Sequence, residues 1–173
     1  MEIGFGDGAR LLADLGKDHD TGWIACEPFL NGVSAFLKNL PEAYADRVRI
    51  WPGDARTVLD SLPDSALDLI YLLYPDPWPK TKHHKRRFVR PDNLDRVARV
   101  LKPGGHFLAA TDVPELAEWM LWQIQPDGRF EWLAERAEDW QSAPSGWIST
   151  KYEQKAIAAG RTCSYLRFRR LSG

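Results

Sequence analysis

The segment YLLYPDPWPKTKHHKRRFVR spans residues 71–90 and combines the end of an apolar run, a proline-rich turn and a dense group of cations. The apolar run 67–74 has the length and the composition of a buried strand. Three prolines follow it and stiffen the chain, because each fixes φ and removes a backbone donor: Pro75, Pro77 and Pro79. We therefore expect a rigid loop at the carboxyl end of a strand, which holds the carboxylate of Asp76 and the indole of Trp78.

Positive charge is concentrated directly after this loop. Six of the 23 Lys and Arg residues lie between Lys80 and Arg90, although the whole chain has a formal net charge of −1. A local cationic patch attracts a polyanion whatever the net charge of the protein. The segment predicts a base-recognising carboxylate beside a phosphate-binding surface that includes Arg86 and Arg87. The alternative, a proline turn followed by a solvated charge run, is less favoured because both features adjoin one strand end.

Length and composition predict one cytoplasmic α/β domain over residues 1–173. Helix-type and strand-type patterns alternate along a chain long enough for a substantial core. Cys26 and Cys163 have neither CxxC spacing nor a third partner, so we expect reduced thiols and no metal site. We find no signal peptide and no apolar run of about 18 residues, so we expect no membrane contact. Because Met1 almost directly precedes the first motif, we expect an amino-terminal segment to be missing.

A glycine-rich turn opens the chain. The segment from Glu2 to Gly8 reads as a strand end, a turn and then a helix over residues 9–16. Gly4, Gly6 and Gly8 would let the backbone approach a cofactor closely and adopt φ above zero. The pattern Gly4-x-Gly6-x-x-Ala9 also matches the dinucleotide-binding fingerprint in its alanine variant. Such a loop alone is weak evidence for any one cofactor.

Acidic residues follow the next two predicted strands, 23–26 and 48–51. Glu27 either accepts hydrogen bonds from a ribose diol or caps the helix that begins near Pro28. Asp54 either accepts from an adenine amino group or caps the helix 55–62, and the two roles are equally favoured. Ala55 directly follows it and is a further candidate for the cofactor site. The amphipathic helix 28–40 between these strands is expected to turn one side to the core: Phe29, Val33, Phe36, Leu37 and Leu40.

The second half of the chain continues the alternation. We expect a helix over 93–101 that stops at Lys102-Pro103-Gly104-Gly105, a strand over 106–110 that leads to Asp112, and a helix over 114–124 with Leu116, Met120 and Ile124 inward. A strand over 130–133 and a polar connection follow. Thr150-x-x-Glu153 is a capping box that opens a helix ending at Gly160. Residues 162–169 read as a last strand. Only a short helix separates it from strand 130–133, and without a full crossover helix we expect the last strand to be antiparallel.

Motifs along the whole chain resemble those of the bacterial tRNA (guanine-N7)-methyltransferases. They stand in the family's order and spacing: Glu2-Ile3-Gly4-Phe5-Gly6-Asp7-Gly8, Tyr74-Pro75-Asp76-Pro77-Trp78-Pro79-Lys80, His83-His84-Lys85-Arg86-Arg87, Leu101-Lys102-Pro103-Gly104-Gly105, Ala110-Thr111-Asp112 and Thr150-Lys151-Tyr152-Glu153. The Pro-Asp-Pro-Trp segment, followed by the basic tail (the cationic residues from Lys80 to Arg90), is highly specific for this family. The glycine loop, in contrast, is shared by most class I methyltransferases. The chain departs from the family at Leu73-Tyr74, at Tyr152 and at Lys155-Ala156.

The resemblance implies a Rossmann-like class I methyltransferase fold, with a mostly parallel seven-stranded sheet, an antiparallel last strand and helices on both faces. It also implies S-adenosyl-L-methionine as cofactor, a guanine in the tRNA variable loop as substrate, and an amino-terminal extension that helps to complete the fold. The residues carried over as cofactor-site acids are Glu2, Glu27, Asp54 and Asp76, the last also as the catalytic residue. Those carried over as substrate contacts are Lys80, Asp112, Thr150, Lys151, Tyr152 and Glu153. The oligomeric state, monomer or homodimer, stays open.

The chemistry of guanine N7 favours an electrostatic role for Asp76. N7 carries an in-plane lone pair and no proton, so its methylation needs positioning and charge stabilisation but no obligatory general base. We expect Asp76 to accept from the Watson–Crick edge of the guanine, although a general base is the alternative. Trp78 either stacks on the base or packs in the core. Thr150 and Glu153 are also explained by helix capping, whereas Lys151 is not.

Three other functions fit part of the sequence. An NAD-dependent dehydrogenase explains the glycine loop and Glu27 but not the Pro-Asp-Pro-Trp segment or the basic tail. An adenine amino-group methyltransferase usually has two prolines before the aromatic residue, whereas Asp76-Pro77-Trp78 has one. A non-catalytic RNA-binding relative is the third alternative.

Overall fold

The computed structural model describes residues 1–172, which form seven strands and seven α-helices. The strands are β1 (Glu2–Ile3), β2 (Trp23–Cys26), β3 (Val48–Trp51), β4 (Leu67–Leu73), β5 (Leu101–Thr111), β6 (Phe130–Trp132) and β7 (Ser164–Arg170). The helices are α1 (Ala9–Lys17), α2 (Leu30–Asn39), α3 (Ala55–Ser61), α4 (Pro91–Val100), α5 (Pro114–Ile124), α6 (Glu138–Gln141) and α7 (Lys151–Ala158). Two 3-10 segments, Glu42–Arg47 and Thr81–Arg86, precede β3 and α4.

One sheet joins the strands in the order β3-β2-β1-β4-β5-β7-β6. Strands β1 to β5 run parallel, whereas β7 runs antiparallel to both of its neighbours, β5 and β6. The strand order changes direction between β1 and β4, and open parallel sheets bind ligands at the carboxyl ends of strands at such a switch point. The predicted α/β sheet with an antiparallel last strand is therefore confirmed.

Alternate residues of the central strands contribute to cores on opposite faces of the sheet, as the two-residue period of a strand requires. Ile70 of β4 and Phe107 of β5 pack with α3, α4 and α5. Leu73 and Leu108 lie on the other face with Ala156 of α7. Side chains of α1 and α2 form a further apolar cluster with β2 and β3. The prediction of helices on both faces is confirmed.

The predicted helix 93–101 and strand 106–110 have different bounds in the structure. Helix α4 begins at Pro91. Proline is well suited to the first helical position, because the backbone N–H that it lacks would have no partner within the helix there. The helix ends at Val100, and Leu101 to Gly105 already belong to β5 instead of forming a separate turn. Gly105 fits this path because a Cβ there would lie 3.1 Å from the backbone oxygen of Asp68 in β4.

Two of the residues predicted to face the core from helix 28–40 are exposed instead. Phe29 is 70% exposed, because α2 begins only at Leu30 and Phe29 lies at the mouth of the cleft described below. Leu37 is 53% exposed, since it follows the fully buried Phe36 and each helical residue turns by about 100°. The inward positions predicted for α5 are confirmed, with Leu116, Met120 and Ile124 all buried.

Two smaller features complete the fold. The connection expected to be irregular before Ser149 contains the single-turn helix α6. Among residues 1–172, no helix has the length and apolarity that crossing a bilayer requires.

Candidate active site

A cleft of about 440 Å³ opens at the carboxyl ends of β1, β2 and β4. Three segments form its walls: the turn between β1 and α1, the segment from the end of β2 into α2, and the first turns of α7 with the residue before it. The lining residues are Glu2, Gly4, Phe5, Gly6, Asp7, Arg10, Glu27, Phe29, Asn31, Gly32, Leu73, Thr150, Lys151, Tyr152 and Lys155. The cleft thus lies where the sheet topology predicts a ligand site.

The glycine turn and α2 approach each other too closely for side chains. Gly8 has a φ of 72°, and a Cβ there would lie 2.2 Å from Cδ2 of Phe36. A Cβ on Gly32 would lie 2.3 Å from the backbone oxygen of Gly6. Both glycines therefore set the distance between two walls of the cleft, and Gly32 also lines the cleft.

Glu27 connects the same two walls. Its side chain is buried, and its Oε2 accepts from the backbone N–H of Gly6 at 2.8 Å. Its Oε1 accepts from the N–H of Phe29 at 2.9 Å, just before α2. This bond reaches the N-cap residue Phe29 and no N–H group within the first turn of α2, so the predicted helix cap is not formed. Because a carboxylate oxygen can accept more than one hydrogen bond, the ribose contact stays a prediction.

A buried charged group lies at the floor of the cleft. Nη1 of Arg10 lies 3.3 Å from Oε2 of Glu2, and Nη2 lies 2.9 Å from Oδ2 of Asp14. The guanidinium also lies over the ring of Tyr71, 3.9 Å from its centroid. Burial raises the pKa of Glu2 to about 7, against the opposing effect of Arg10. Glu2 therefore gains or loses its proton near pH 7, and a further cation bound beside it would favour the charged form.

The amino-terminal turn of α7 covers the cleft from the other side. Thr150 forms the predicted capping box, accepting from the N–H of Glu153 at 3.1 Å. Nζ of Lys151 lies 3.5 Å from Oδ2 of Asp7, so this lysine links α7 to the glycine turn. Tyr152 is 58% exposed at the cleft mouth. The structure thus brings three of the predicted substrate residues to the predicted cofactor site.

Glu153 lies behind this surface and does not line the cleft. It is buried and accepts from Nε1 of Trp147 at 2.7 Å, from the N–H of Thr150 at 3.2 Å and from the hydroxyl of Tyr165. Its hydrogen bonds are therefore made within the protein, which supports the helix-capping alternative and does not test a substrate contact.

The Pro-Asp-Pro-Trp loop begins where β4 ends. Tyr74 and Trp78 both have positive φ, 51° and 43°, which is unfavourable for residues with a bulky side chain. The N–H of Tyr74 donates to the backbone oxygen of Ala110 at 2.7 Å. Asp76 is exposed between them and has no hydrogen bond among the described residues. It lies three residues beyond Leu73, which lines the cleft, but does not itself line it.

The two arginines predicted to bind phosphate lie in different surroundings. Arg86 is exposed, and its guanidinium lies 4.7 Å from the ring centroid of Trp78. Arg87 has a side chain only 2% exposed, with hydrogen bonds to the loop and an ion pair with Glu115. Arg87 therefore offers almost no surface to a phosphate, and the prediction that it binds phosphate is corrected. The run of charges suggested an exposed side chain, but the guanidinium is buried and donates to other groups of the protein.

Trp78 is half-buried, in contact with Arg86 and 5.9 Å from the ring of His83. Trp78 therefore belongs to none of the apolar clusters and is not fully exposed either. Its stacking on the guanine stays a prediction. His84 lies edge-on to Trp119 of α5, with 5.2 Å between the ring centroids, so it connects the 3-10 segment Thr81–Arg86 to α5.

The other predicted site residues do not line the cleft. Asp54 caps α3, accepting from the N–H of Arg56 at 2.9 Å, so its helix-capping alternative is confirmed and the adenine contact stays a prediction. Ala55 is buried in the core beside it. Oδ2 of Asp112 accepts from Nε of Arg161 at 2.6 Å, just after β5. Lys80 is exposed and precedes the 3-10 segment of the basic tail.

A small cationic groove of about 140 Å³ runs along the basic tail. Its lining residues are Asp54, Arg56, Lys85, Arg86, Arg87, Phe88, Arg90 and Asn93. The Asp54 cap of α3 therefore adjoins the predicted phosphate-binding surface, although the two are about thirty residues apart in the chain.

Sequence reasoning missed several residues of the cleft. Arg10 and Phe29 are the most informative, because one supplies a buried cation and the other an exposed ring. The spacing of Arg10 and Asp14 by four residues could have indicated an ion pair on α1. No comparable pattern separates Phe29 from the core residues that follow it.

Comparison with known proteins agrees with this fold. A family model described as a putative methyltransferase matches residues 1–166. A SAM-dependent O-methyltransferase from Thermotoga maritima superposes with a TM-score of 0.60 at 17% identity, covering 99% of this chain and 58% of that one. The seven-stranded sheet with its cleft at the switch point is that of a class I methyltransferase.

Closer relatives define the family. A tRNA (guanine-N(7)-)-methyltransferase from Ruegeria pomeroyi is 49% identical over 173 residues, which is 100% of this chain and 73% of that protein. A protein of the same name from Azorhizobium caulinodans is 48% identical over 99% of this chain and 74% of its own length. The chain belongs to the tRNA (guanine-N(7)-)-methyltransferase family.

Proposed function

We propose that this protein transfers the methyl group of S-adenosyl-L-methionine to N7 of a guanine in the variable loop of tRNA. The observation that carries the proposal is the position of the Pro-Asp-Pro-Trp loop, which leaves the same strand end as Leu73 of the cleft and leads directly into the basic tail. Methyl donor, base and backbone phosphates can then be held on one edge of the sheet. The names of relatives that are almost half identical over the whole chain support the same substrate.

The residues of the cleft suit S-adenosyl-L-methionine. This cofactor combines an adenosine, a carboxylate, an ammonium and a sulfonium whose methyl group is electrophilic. Glu2 and Glu27 are buried acids in the lining that would bind its cationic and ribose groups. Arg10 has a buried Nε–H with no partner among the described residues and would donate to the carboxylate, while the exposed ring of Phe29 offers a surface for adenine.

Asp76 acts on the base in this proposal. As guanine N7 takes the methyl group, positive charge develops on the purine ring, and a fixed carboxylate nearby stabilises that charge. The lone pair of N7 is free, so the reaction requires orientation but no deprotonation. Asp76 therefore accepts hydrogen bonds from the Watson–Crick edge and holds the base in line with the methyl group.

The exposed cations after the loop bind the tRNA backbone. Lys80, Lys85 and Arg86 are all exposed in one short segment, and their attraction to phosphate is largely independent of sequence. Lys151 and Tyr152 line the cleft, Asp112 directly follows β5, and we propose that all three contact the substrate nucleotide. Because a base within folded RNA must leave its stack to reach such an edge, we expect the guanine to be splayed out. A tRNA substrate also supports the proposal that the protein acts in the cytoplasm.

A single assay tests the proposal and its alternatives. The purified protein is incubated with unmethylated tRNA and methyl-labelled S-adenosyl-L-methionine, and the nucleosides are then separated. We expect the label in 7-methylguanosine and none in methylated adenosine. Label in an adenine amino group, or tRNA binding without any transfer, would overturn the proposed reaction and favour one of the alternatives.

A further inference from the structure

Arg87 is bound to the backbone of the Pro-Asp-Pro-Trp loop. Its Nε donates to the carbonyl oxygen of Pro77 at 2.9 Å, and its Nη2 lies 3.5 Å from the carbonyl oxygen of Trp78. These are the two residues that follow Asp76 in the chain. Because proline provides no N–H, this part of the loop has few hydrogen bonds of its own to fix it.

The loop is strained at the residue that Arg87 holds. Trp78 has a φ of 43°, and a left-handed conformation costs a residue other than glycine about 1–3 kcal/mol unless its surroundings enforce it. Tyr74, at the other end of the loop, has a φ of 51° and donates to the backbone of β5 through its N–H. Two strained residues therefore bracket Asp76, one held by the sheet and the other by Arg87.

Arg87 is itself fixed from the opposite side by α5. Its Nη2 lies 2.8 Å from Oε1 of Glu115, and its guanidinium lies 4.9 Å from the ring centroid of Trp119. His84 also lies 3.6 Å from the same oxygen of Glu115. The indole N–H of Trp119 donates to the backbone oxygen of Val89 at 2.8 Å, which ties α5 to the chain just after Arg87.

We propose that Arg87 is a positioning residue for methyl transfer, which acts by fixing the backbone of the loop that carries Asp76. This inference rests on the proposed function and gives Arg87 a different role from its neighbours Lys85 and Arg86. Glu115 serves as the anchor of the guanidinium, so α5 contributes to the active site without lining the cleft.

The test compares Arg87→Gln with Lys85→Gln, which removes an exposed cation two residues away. Glutamine at position 87 loses the two-pronged contact with the loop, and a misplaced catalytic group can lower the rate by about 10²-fold. We expect Arg87→Gln to reduce kcat by about that factor, with the Kd for tRNA and its salt dependence unchanged. We expect Lys85→Gln to weaken tRNA binding and to reduce its salt dependence.

A double mutant distinguishes positioning from a general structural effect. If Arg87 acts through Asp76, then Arg87→Gln has little further effect on kcat in a protein that already carries Asp76→Asn, because effects of coupled residues are not additive. Full additivity would overturn the proposal. A salt dependence of Arg87→Gln that falls as in Lys85→Gln would also overturn it and would make Arg87 a phosphate contact.

A measurement without turnover covers the case in which Arg87→Gln unfolds. Arg87→Lys keeps the charge beside Glu115 but cannot reach both carbonyls with a planar fork. We expect lower NMR order parameters at the amides of Asp76 and Trp78 in this variant, with those of β4 and β5 unchanged. Unchanged order parameters in the loop would contradict the proposal, whereas a wild-type protein that methylates no tRNA would contradict the proposed function instead.

Discussion

At the scale of single residues, the charge of Asp76 is the first point to test. Asp76→Asn keeps the size and one acceptor of the side chain but removes the negative charge. If the carboxylate stabilises charge on the guanine ring, kcat should fall by roughly 10²-fold while the affinity for tRNA stays close to that of the wild type. Methyl-transfer kinetics and a filter-binding assay measure the two quantities.

Asp68→Asn is the control for this variant, because Asp68 is an exposed acid in β4 that pairs with Lys102. It should leave methyl transfer unchanged. Equal losses of rate and affinity in Asp76→Asn would show that Asp76 contributes to binding and not selectively to the reaction.

Glu2 should make stability depend on pH. Burial raises its pKa from 4.5 to about 7 in the folded protein, so the folded state holds this proton more tightly than the unfolded state does. Its favourable contribution is complete below pH 4.5 and is lost as the pH rises to about 7. Glu2→Gln should therefore gain stability relative to the wild type between pH 5 and pH 8, by on the order of 3 kcal/mol.

Urea unfolding of both proteins across this pH range measures the difference. A stability difference that does not change with pH would contradict the raised pKa of Glu2. Because a bound sulfonium or ammonium favours the charged carboxylate, saturation with S-adenosyl-L-methionine should reduce the difference.

Single residues also show where sequence reasoning is limited. Glu27 and Asp54 each have two possible roles in the sequence, and the structure shows Asp54 as the cap of α3 but Glu27 bound to the N–H groups of Gly6 and Phe29. The residue type and its position after a strand define the possibilities, but the choice depends on which backbone N–H lies within reach. Arg87 could not be separated from Arg86 for the same reason: the two differ in the direction of their side chains and not in charge.

At the scale of elements, Glu153 should be needed for the stability of α7. Glu153→Ala leaves the N–H of Thr150, the indole of Trp147 and the hydroxyl of Tyr165 without their acceptor. Each buried unpaired group costs about 1–3 kcal/mol, so we expect the free energy of unfolding to fall by about 3 kcal/mol or more.

Thr150→Ala removes only the other half of the capping box and should cost about 1 kcal/mol, which makes it the matched control. Chemical denaturation measures both variants. Unchanged stability of Glu153→Ala together with weaker tRNA binding would support the substrate contact that the resemblance implies.

Most elements could be predicted because their signals are local. The capping box of α7, the proline that begins α5 and the apolar periods of α5 and β4 all lie within the elements that they define. The start of β5 could not be predicted in this way. Gly104 and Gly105 suggest a turn, but close contact of Gly105 with the backbone of β4, which lies far away in the sequence, makes them part of the strand.

At the scale of the whole molecule, the distribution of charge should control tRNA binding. The affinity should fall steeply with added salt, because cations on the protein release counterions from the phosphates. Neutralising Lys85 and Arg86 together should reduce the slope of log Kd against log salt by about 0.7–0.9 for each phosphate contact that is lost. Fluorescence anisotropy with labelled tRNA measures the slope.

Lys38→Gln, which removes an exposed cation from the last turn of α2, serves as the control. It should leave the slope unchanged, because α2 belongs to a different part of the fold. An unchanged slope after neutralisation of both Lys85 and Arg86 would exclude the basic tail from phosphate binding.

The whole cleft was predictable only in outline. Strand ends that carry Glu2, Glu27 and Asp76 indicate one edge of a parallel sheet, and the structure places the cleft there. The covering of that cleft by Lys151 and Tyr152 depends on α7, which returns from the far end of the chain. The resemblance to a family indicated that Lys151 and Tyr152 belong to the site, whereas the periodicity of the sequence indicated only a helix.

The place of β7 inside the sheet has a consequence for how the protein is made. Strand β6 pairs only with β7 among the described strands, and β7 comes more than thirty residues later in the chain. While the polypeptide is leaving the ribosome, Phe130 and its neighbours have no strand to join until residues 164–170 have been translated. The edge of the sheet beyond β5 therefore forms only after both β6 and β7 have been translated.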